Sequence, residues 1–414
     1  MSKIVLKAGK ERSLYRLHPW VFSGAIAKIK GDVQEGDVVQ VYNSDDEYLA
    51  TGHYQIGSIA VRVLTFKEEE IDYNFWVERI RQAYLTRVAI GLATNPNNNV
   101  YRLVHGEGDD LSGLVIDYYA GVAVVQFHSV GMYKVREEIT KALLEVMEIA
   151  RTSEQKALIL RQIQRAEVMG DKLIAIYDKS EGTLPFKAGL NPKNDYLYGH
   201  TDNFTAIENG LKFNVDWLEG QKTGFFVDQR ENRRLLEQYA HNKNVLNMFC
   251  YTGGFSFYAM RGGAKLVHSV DASARAIELT NQNVELNFPG DTRHEAFVED
   301  AFKFLDKSHN KYDLIILDPP AFAKHQNVLD NAIQGYKKLN RKGIEVVKPG
   351  GLIFTFSCSQ VMTKDLFRQT VFTAAAHTGR KVKILHQLTQ PADHPISIYH
   401  PEGEYLKGLV LYVE

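Results

Sequence analysis

Short apolar runs separated by turn-forming residues fill the first 70 positions of the chain. These runs lie at residues 20–22, 38–42 and 59–64. Turn signals such as Gly31-Asp32 and Gly36-Asp37 stand between them. Runs of this length, bounded by glycine, aspartate and asparagine, are typical of strands in a small β-rich domain. We therefore predict a β domain over residues 1–70.

Residues 71–190 combine the periodicities of helices and strands. Apolar residues recur at helical spacing over 73–90 and 135–163, whereas the strand-like runs lie at 114–118, 123–127 and 173–177. This mixture predicts a small central α/β domain. The stretch 187–202 contains Asn191-Pro192 and is interpreted as a connector.

From about residue 203 onward, short apolar strands alternate with helical stretches. The strands are predicted at 245–249, 266–270, 295–298, 314–317 and 352–356, with a final pair at 382–385 and 405–413. This alternation favours a parallel sheet with helices on both faces. Ligands bind such sheets at the carboxyl ends of the strands. The residues that end each strand are therefore the candidates for chemistry.

A glycine turn follows the first of these strands. The stretch from Phe249 to Gly254 ends a buried run and leads into a predicted helix. Glycine has no Cβ, so the backbone can approach a ligand closely at this turn. The next strand ends at Asp271, where a carboxylate can accept from ribose hydroxyls. A nucleoside-cofactor pocket is predicted, and the absence of G-x-G-x-x-G weakens a dinucleotide interpretation.

Acids also follow the third and fourth strands. Asp300 ends the third and could accept from an adenine amino group, although an acid here can equally cap the next helix. Asp318 ends the fourth and is followed by Pro319-Pro320, which stiffen the backbone. The two prolines predict a rigid backbone segment that holds the Asp318 carboxylate toward the crevice. Phe322 follows and is placed to lie against a planar base.

The fifth strand ends at Ser357-Cys358-Ser359. A cysteine in an apolar strand is usually inert core. Cys358, however, stands between two serines where the apolar run stops, and we predict that it faces the cleft. Cys250 lies inside the glycine turn, where packing or close approach to the ligand is the better interpretation.

Charge is distributed unevenly along a nearly neutral chain. The net charge of −1 provides no global nucleic-acid signal. Residues 1–30 nevertheless hold seven basic residues against one acidic residue, a local charge of +6. Lys7, Lys10 and Arg12 in this cluster are predicted to contact RNA, and neighbouring aromatic residues could stack on a base. A solvated surface is the alternative.

The remaining composition indicates a cytoplasmic protein. Two cysteines in 414 residues cannot form a disulfide framework and fit a reducing compartment. The N-terminus has no apolar segment of signal-peptide length, and no apolar run is long enough to span a bilayer. No metal ligand set is predicted, and the sequence leaves open whether the protein is a monomer or a homodimer.

Several of these motifs together resemble the S-adenosylmethionine-dependent 5-methylcytosine methyltransferases of large-subunit (23S) ribosomal RNA, the methyltransferase I type. The resemblance rests on motifs at residues 220–230, 247–255, 317–322, 356–359, 392–395 and 399–408. It covers nearly the whole chain. It implies an α/β protein with a PUA-type RNA-binding domain (1–70), a central α/β domain (71–190) and a Rossmann-like class I methyltransferase domain (191–414).

The resemblance also implies roles for individual residues. Asp271 would bind the cofactor ribose and Asp300 the adenine side. Cys358 matches the catalytic nucleophile, and Asp318 matches an acid at the target base. Further residues that would bind the methionine moiety or lie over the cofactor are Phe225, Asp228, Arg230, Phe249, Tyr251, Thr252 and Gly253.

The activity expected from this resemblance is formation of 5-methylcytosine in ribosomal RNA by covalent cysteine catalysis. Uracil-5 methylation and cytosine-5 methylation of transfer RNA are alternatives that would use a similar thiol. A non-catalytic RNA-binding assembly factor that retains the cofactor pocket is another. A nucleotide-dependent oxidoreductase is disfavoured by the missing glycine fingerprint.

Overall fold

A computed structural model describes residues 2–149, 172–184, 189–323 and 328–414 of the chain. The chain divides into two compact units. The first comprises Met1–Gly210, Val215–Val227 and Ala392–Gly403. The second comprises Leu211–Asn214, Asp228–Pro391 and Glu404–Glu414. No helix within the described ranges is both long enough and apolar enough to cross a membrane.

The first unit begins with a six-stranded sheet and one short helix, α1 (Arg12–Tyr15). Its strands are β1 (Ser2–Leu6), β2 (Trp20–Phe22), β3 (Ile26–Lys30), β4 (Val38–Tyr42), β5 (Tyr48–Tyr54) and β6 (Ile59–Thr65). They are arranged in the order β2-β6-β5-β4-β1-β3. Alternate residues such as Ile4, Val39 and Val61 point into its core. The predicted β-rich N-terminal domain is confirmed.

A second sheet of the first unit has five strands in the order β11-β10-β9-β8-β7. They are β7 (Val100–His105), β8 (Leu114–Tyr119), β9 (Val122–Phe127), β10 (Ala175–Asp178) and β11 (Asp195–Tyr198), and β12 (Thr205–Glu208) follows them in the chain. The helices are α2 (Tyr73–Ala89), α3 (Val130–Lys134) and α4 (Arg136–Ile149). Trp76, Leu103 and Leu143 belong to their shared core.

Two predictions for this region need correction. The stretch 187–202 is not only a connector, because it contains β11, which pairs with β10 while Tyr196 packs on Tyr177. The helix predicted over 135–163 is a separate helix after α3, described as far as Ile149. The rest of that predicted helix lies outside the described residues.

The second unit contains a seven-stranded sheet in the order β16-β15-β14-β17-β18-β20-β19. Its strands, with β13 (Leu211–Asn214) before them, are β14 (Asn244–Met248), β15 (Leu266–Asp271), β16 (His294–Val298), β17 (Leu314–Leu317), β18 (Gly351–Ser357), β19 (Val382–Leu388) and β20 (Lys407–Val413). The helices are α5 (Arg230–Tyr239), α6 (Gly254–Arg261), α7 (Ala274–Asn287), α8 (Ala301–Asp306), α9 (Leu329–Val346) and α10 (Lys364–Thr378).

Burial explains why this sheet is parallel at its centre. Strands β17 and β18 are buried along their whole length, as expected where helices cover both faces. Strands β14 to β18 pair in parallel, whereas β20 pairs antiparallel with β18 and β19. The predicted fold class and the predicted final strand pair are confirmed. After β16 the chain returns to place β17 beside β14, which creates the switch point where such sheets bind ligands.

Candidate active site

The turn after β14 has an unusual backbone. Phe249 and Tyr251 have φ angles of 58° and 49°, in the left-handed region that non-glycine residues rarely adopt. Gly253 has a φ of 85°, and a Cβ there would lie 2.7 Å from Phe257 and 2.8 Å from Thr280. Only glycine fits this position. The turn is therefore built to present backbone, not side chains, at the end of the strand.

Asp271 fixes this turn to the end of β15. One carboxylate oxygen accepts from the backbone N–H of Tyr251 at 3.0 Å, and the other accepts from that of Ser273 at 2.9 Å. The residue remains partly exposed. A carboxylate has lone pairs left after two such bonds, so Asp271 can still accept from a ligand.

Helix α7 supports the same turn from behind. The Thr280 hydroxyl donates to the carbonyl of Tyr251 at 2.9 Å, and the Asn283 amide donates to that of Thr252 at 3.2 Å. Cys250 lies beneath the turn with 6% of its surface exposed. Burial, assisted by the negative charge of Asp271, raises the pKa of the Cys250 thiol. Both observations agree with its interpretation as a packing residue.

Asp300 lies at the end of β16 and is exposed. Its carboxylate caps α8 by accepting from the backbone N–H of Lys303 at 3.0 Å. The helix-cap interpretation of this acid is therefore present in the structure. Its contact with adenine remains a prediction.

Asp318 is the acid at this end of the sheet whose proton affinity is raised. Burial is the main reason that the pKa of Asp318 is raised to about 7, and the negative charge of Asp228 adds to it. The Gln229 amide opposes the rise by donating to Asp318 at 3.0 Å. Tyr405 donates to one oxygen of Asp228 at 2.7 Å. The other oxygen of Asp228 is buried and accepts no hydrogen bond from any described residue.

Cys358 follows β18 directly and is partly exposed, while Ser357 and Ser359 on either side are buried. Strands β17 and β18 are in parallel register, with Leu317 opposite Thr355. Asp318 and Cys358 therefore leave the sheet at the same edge from neighbouring strands.

Tyr336 on α9 supplies electrostatic evidence for the same arrangement. Burial raises its pKa to about 12, and the negative charges of Cys358 and Asp318 both add to the rise. The charges of Cys358 and Asp318 thus both act on the Tyr336 hydroxyl.

Other predicted cofactor residues are placed differently. Phe225 is 4% exposed and belongs to the first unit. Arg230 begins α5 and is 1% exposed, with its Nε 3.4 Å from Glu231. Their roles over the cofactor remain predictions. Phe322 is partly buried, and its ring packs on Tyr336 with centroids 4.6 Å apart.

The basic cluster of the N-terminal sheet lies beside a cavity of about 360 Å³. Lys10, Ser13 and Phe22 are among its lining residues. Lys7 and Arg12 are exposed, and Lys7 donates to the carbonyl of Gly24, another lining residue, at 2.9 Å.

The aromatic residues beside this cluster divide into two groups. Phe22 is 46% exposed and Tyr15 is 59% exposed, so neither ring is buried in the core of the sheet. The Trp20 indole donates to Glu107 at 2.8 Å, which makes Trp20 a structural residue.

His18, His400 and Glu402 also come together, with ligand atoms within 4.8 Å of one another. Nδ1 of His18 accepts from the backbone N–H of Trp20 at 3.2 Å. The proton of neutral His18 therefore lies on Nε2, which faces Glu402 at 3.5 Å. This arrangement fits a polar contact between side chains, since a metal would require an unprotonated Nε2.

Sequence reasoning missed several residues of this site. Gln229, Tyr405 and Lys407 contact the acids or the cysteine loop across long stretches of chain. All three lie within the motifs that carried the family resemblance, at residues 220–230 and 399–408, but spacing alone assigns them no partner. Tyr336 carries no sequence signal, because its position on α9 resembles any core aromatic.

Comparisons with known proteins identify the family of the chain. A family model described as S-adenosylmethionine-dependent methyltransferase matches residues 101–397, and a PUA-like domain model matches residues 4–66. Ribosomal RNA large subunit methyltransferase I from Alteromonas mediterranea is 39% identical, covering 100% of this chain and 99% of the relative. The protein of that name from Aeromonas hydrophila is 40% identical, covering 99% of each chain.

A solved structure, assigned as a methyltransferase and complexed with SAH, matches with a TM-score of 0.80 and 25% identity, covering 100% of both chains. The predicted cofactor, S-adenosylmethionine, and the predicted PUA-type domain are confirmed. The chain belongs to the S-adenosylmethionine-dependent methyltransferases and, among them, to the family of the ribosomal RNA large subunit methyltransferases I.

Proposed function

We propose that this protein methylates carbon 5 of a cytosine in large-subunit ribosomal RNA, with Cys358 as a covalent nucleophile. The observation that carries the proposal is the position of the partly exposed Cys358 beside Asp318, at the edge of the sheet where the cofactor turn also lies. The similarity to ribosomal RNA large subunit methyltransferases I along the whole chain supports ribosomal RNA as the substrate.

The residues at this edge fit the cofactor. Gly253, with its positive φ, lets the turn present its backbone at the end of β14, and the free oxygen of Asp228 is a buried acceptor suited to an amino group. Asp271 would accept from the ribose hydroxyls and Asp300 from the adenine amino group. Phe249, Tyr251 and Thr252 would surround the methionine moiety. The cofactor supplies an electrophilic methyl group on a sulfonium.

The thiol is needed because carbon 5 of cytosine is a poor nucleophile. When the Cys358 thiolate bonds to carbon 6, the electrons of the ring double bond move and make carbon 5 nucleophilic. After methyl transfer, a base or a water molecule takes the carbon-5 proton, and the electrons of that C–H bond restore the double bond and expel the thiolate. Covalent catalysis thus divides one difficult step into two easier ones. The base must leave its helix or loop to reach the site.

Asp318 would select cytosine over uracil. With its pKa near 7, a large fraction of this side chain is protonated at neutral pH. A protonated carboxyl donates through one oxygen to N3 of cytosine and accepts through the other from the 4-amino group. Uracil presents N3–H and a carbonyl at these positions, which reverses the required donors and acceptors. The proton on N3 also neutralises charge that develops when the thiolate adds.

The N-terminal sheet would hold the RNA. Of the exposed basic residues, Lys10 lines the cavity, Lys7 donates to the lining residue Gly24, and Arg12 precedes the lining residue Ser13. The exposed rings of Phe22, which lines the cavity, and Tyr15 belong to the same region. Cations with flat rings are suited to a phosphate backbone with unstacked bases. The aromatic ring of Phe322 would lie against the target base. The cytoplasmic location and the homodimer remain predictions.

Reversing the charge of Lys7, Lys10 and Arg12 together is expected to weaken binding of ribosomal RNA fragments by about tenfold or more at low salt. The expected reason is loss of phosphate contacts, so the slope of log affinity against log salt should also become shallower. Filter binding across a salt series measures both. The matched control reverses Lys28, Lys30 and Lys67, three exposed lysines of the same sheet region, none of which lines the cavity or adjoins a lining residue in the sequence. If both triple variants lose RNA affinity equally, Lys7, Lys10 and Arg12 contribute only as general surface charge.

Bisulfite sequencing of large-subunit ribosomal RNA tests the proposed function. Deleting the gene should convert one protected cytosine to an unprotected one, and purified protein with S-adenosylmethionine should restore protection on naked RNA. If protection changes in transfer RNA instead, the substrate would be transfer RNA and not ribosomal RNA. A methylated uracil would replace cytosine as the target, and no methyl transfer to any RNA would favour the assembly-factor alternative.

A further inference from the structure

Lys407 carries a buried ammonium group at the start of β20. The residue is 3% exposed and lies opposite Ser357 in the antiparallel pair of β18 and β20. Its Nζ donates to the carbonyl of Ser359 at 2.7 Å. Lys407 thus touches the chain on both sides of Cys358, through its strand partner before the cysteine and through a hydrogen bond after it.

This ammonium is poorly compensated by the rest of the protein. Of its three protons, one has an acceptor among the described residues, and that acceptor is a neutral carbonyl. Glu404 also favours the charged form of Lys407, but it already forms an ion pair with Lys364. Buried charges are normally paired, because an unpaired one is strongly destabilising. The site therefore needs an anion beside Lys407.

Cys358 lies between the two residues that Lys407 contacts, Ser357 and Ser359, so its thiolate is the anion that this geometry brings near the ammonium. The negative charge of Cys358 is the foremost favourable influence on the lysine, ahead of that of Glu404. An RNA phosphate is a poor alternative, since a residue that is 3% exposed cannot reach a backbone outside the sheet. An ordinary cysteine with a pKa of about 8.5 is only a few per cent ionised at neutral pH, so the proposed reaction needs such a partner.

We infer that Lys407 is a positioning residue that keeps Cys358 ionised by holding its ammonium against the thiolate, an inference that rests on the proposed function. The thiol releases its proton to solvent while Lys407 retains its own three protons. The ammonium does not contact the target base. Its effect is to raise the fraction of enzyme in which the sulfur can attack carbon 6.

Other charged groups near the pair define its pH range. Tyr336 and Asp318 face the cysteine from α9 and β17, and Glu404 and Lys364 flank the lysine. Burial lowers the pKa of Lys407 to about 8 despite the opposing influence of the cysteine. Above that pH the ammonium loses its proton and the thiolate loses its partner. The ion pair should therefore persist from the pKa of the thiol up to about pH 8.

Alkylation of the full-length protein with iodoacetamide across a pH series tests the inference without RNA. Cys358 and Cys250 are the two cysteines of the chain, and mass spectrometry separates their peptides. The wild-type Cys358 should react with a midpoint at least about one unit below an ordinary thiol. Lys407→Met should raise that midpoint by about one unit and slow alkylation at pH 7 by roughly tenfold. Lys407→Arg should keep the midpoint low, and the ion pair with Cys358 should then persist above pH 8.

The outcomes separate this inference from the proposed function. A wild-type midpoint at or above that of an ordinary thiol overturns the inference, whether or not any variant folds. An unchanged midpoint in Lys407→Met, with cofactor binding intact by calorimetry, also overturns it. If Cys358→Ala retains methyl transfer, the nucleophile assignment fails, although the alkylation midpoint still reports the ion pair. A raised midpoint with slower methylation at saturating RNA supports both.

Discussion

Replacing Cys358 with alanine is expected to abolish methyl transfer, by a factor on the order of 10⁴ or more, while leaving the affinity for S-adenosylmethionine unchanged. Without the sulfur, carbon 5 of the base stays a weak nucleophile, and no neighbouring group replaces the covalent step. The turn after β14 and Asp271 at the end of β15, which are proposed to hold the cofactor, are separate from Cys358, which follows β18. Transfer of labelled methyl to RNA and calorimetric titration of the cofactor measure the two quantities.

Cys250→Ser is the matched control for this experiment. Cys250 is buried beneath the cofactor turn, and burial raises the pKa of its thiol, so it is unsuited to attack. The control should retain activity within a few-fold. Activity that survives in Cys358→Ala but disappears in Cys250→Ser would exchange the roles of the two thiols. Loss of cofactor binding in either variant would indicate a disturbed fold instead.

Much of the active-site edge could be predicted because it follows from chain order. A parallel sheet places the carboxyl ends of its strands at one edge, so a residue that ends an apolar run is already located. Asp271, Asp318 and Cys358 were found in this way, and the pairing of β17 with β18 agrees with it. The sequence also marked Gly253, where the structure leaves no room for a Cβ.

The partners of these groups could not be predicted. Tyr405 donates to Asp228 across 177 residues, and Gln229 donates to Asp318 across 89. Such contacts depend on how β20 and the start of α5 are placed, which no local periodicity encodes. The same limit hid Lys407, whose burial and register decide its role.

Strands with mixed composition were the second kind of error. Strand β11 has the sequence Asp195-Tyr196-Leu197-Tyr198 at the edge of its sheet, and none of these residues is buried. An edge strand shows little of the alternation that identifies a strand in the interior. Pairing with β10 and the contact of Tyr196 with Tyr177 determine its structure, and both are tertiary.

Replacing Asp318 with asparagine is expected to reduce methyl transfer by about 10²–10⁴-fold at saturating cofactor. The amide has nearly the same shape and can still accept from the 4-amino group, but it cannot transfer a proton to N3. The ring would then have to hold the charge that develops when the thiolate adds. Single-turnover methylation with wild-type and variant protein measures the loss. An undiminished rate would show that the acid acts only in packing.

The same substitution should also change how stability depends on pH, independently of RNA. Asp318 has a pKa of about 7 in the folded state, against about 3.8 for the free side chain. The folded protein therefore holds an extra proton between these values, so this group stabilises below about pH 4 and the contribution disappears as pH rises through 7. Between pH 4 and 8, the wild type should lose roughly 2–4 kcal/mol relative to Asp318→Asn in urea unfolding.

Asp291→Asn supplies a control of opposite sign. Its hydrogen bonds with Arg293 lower the pKa of Asp291, so that carboxylate stabilises above the unfolded pKa and its contribution is lost as pH falls through the folded value. The wild-type advantage over Asp291→Asn should therefore change only on the acid side, below about pH 4. If Asp318→Asn and the wild type lose stability in parallel between pH 4 and 8, the carboxyl is already ionised in the folded enzyme. Recognition of cytosine would then rest on a carboxylate that accepts from the 4-amino group, with the N3 proton supplied from elsewhere.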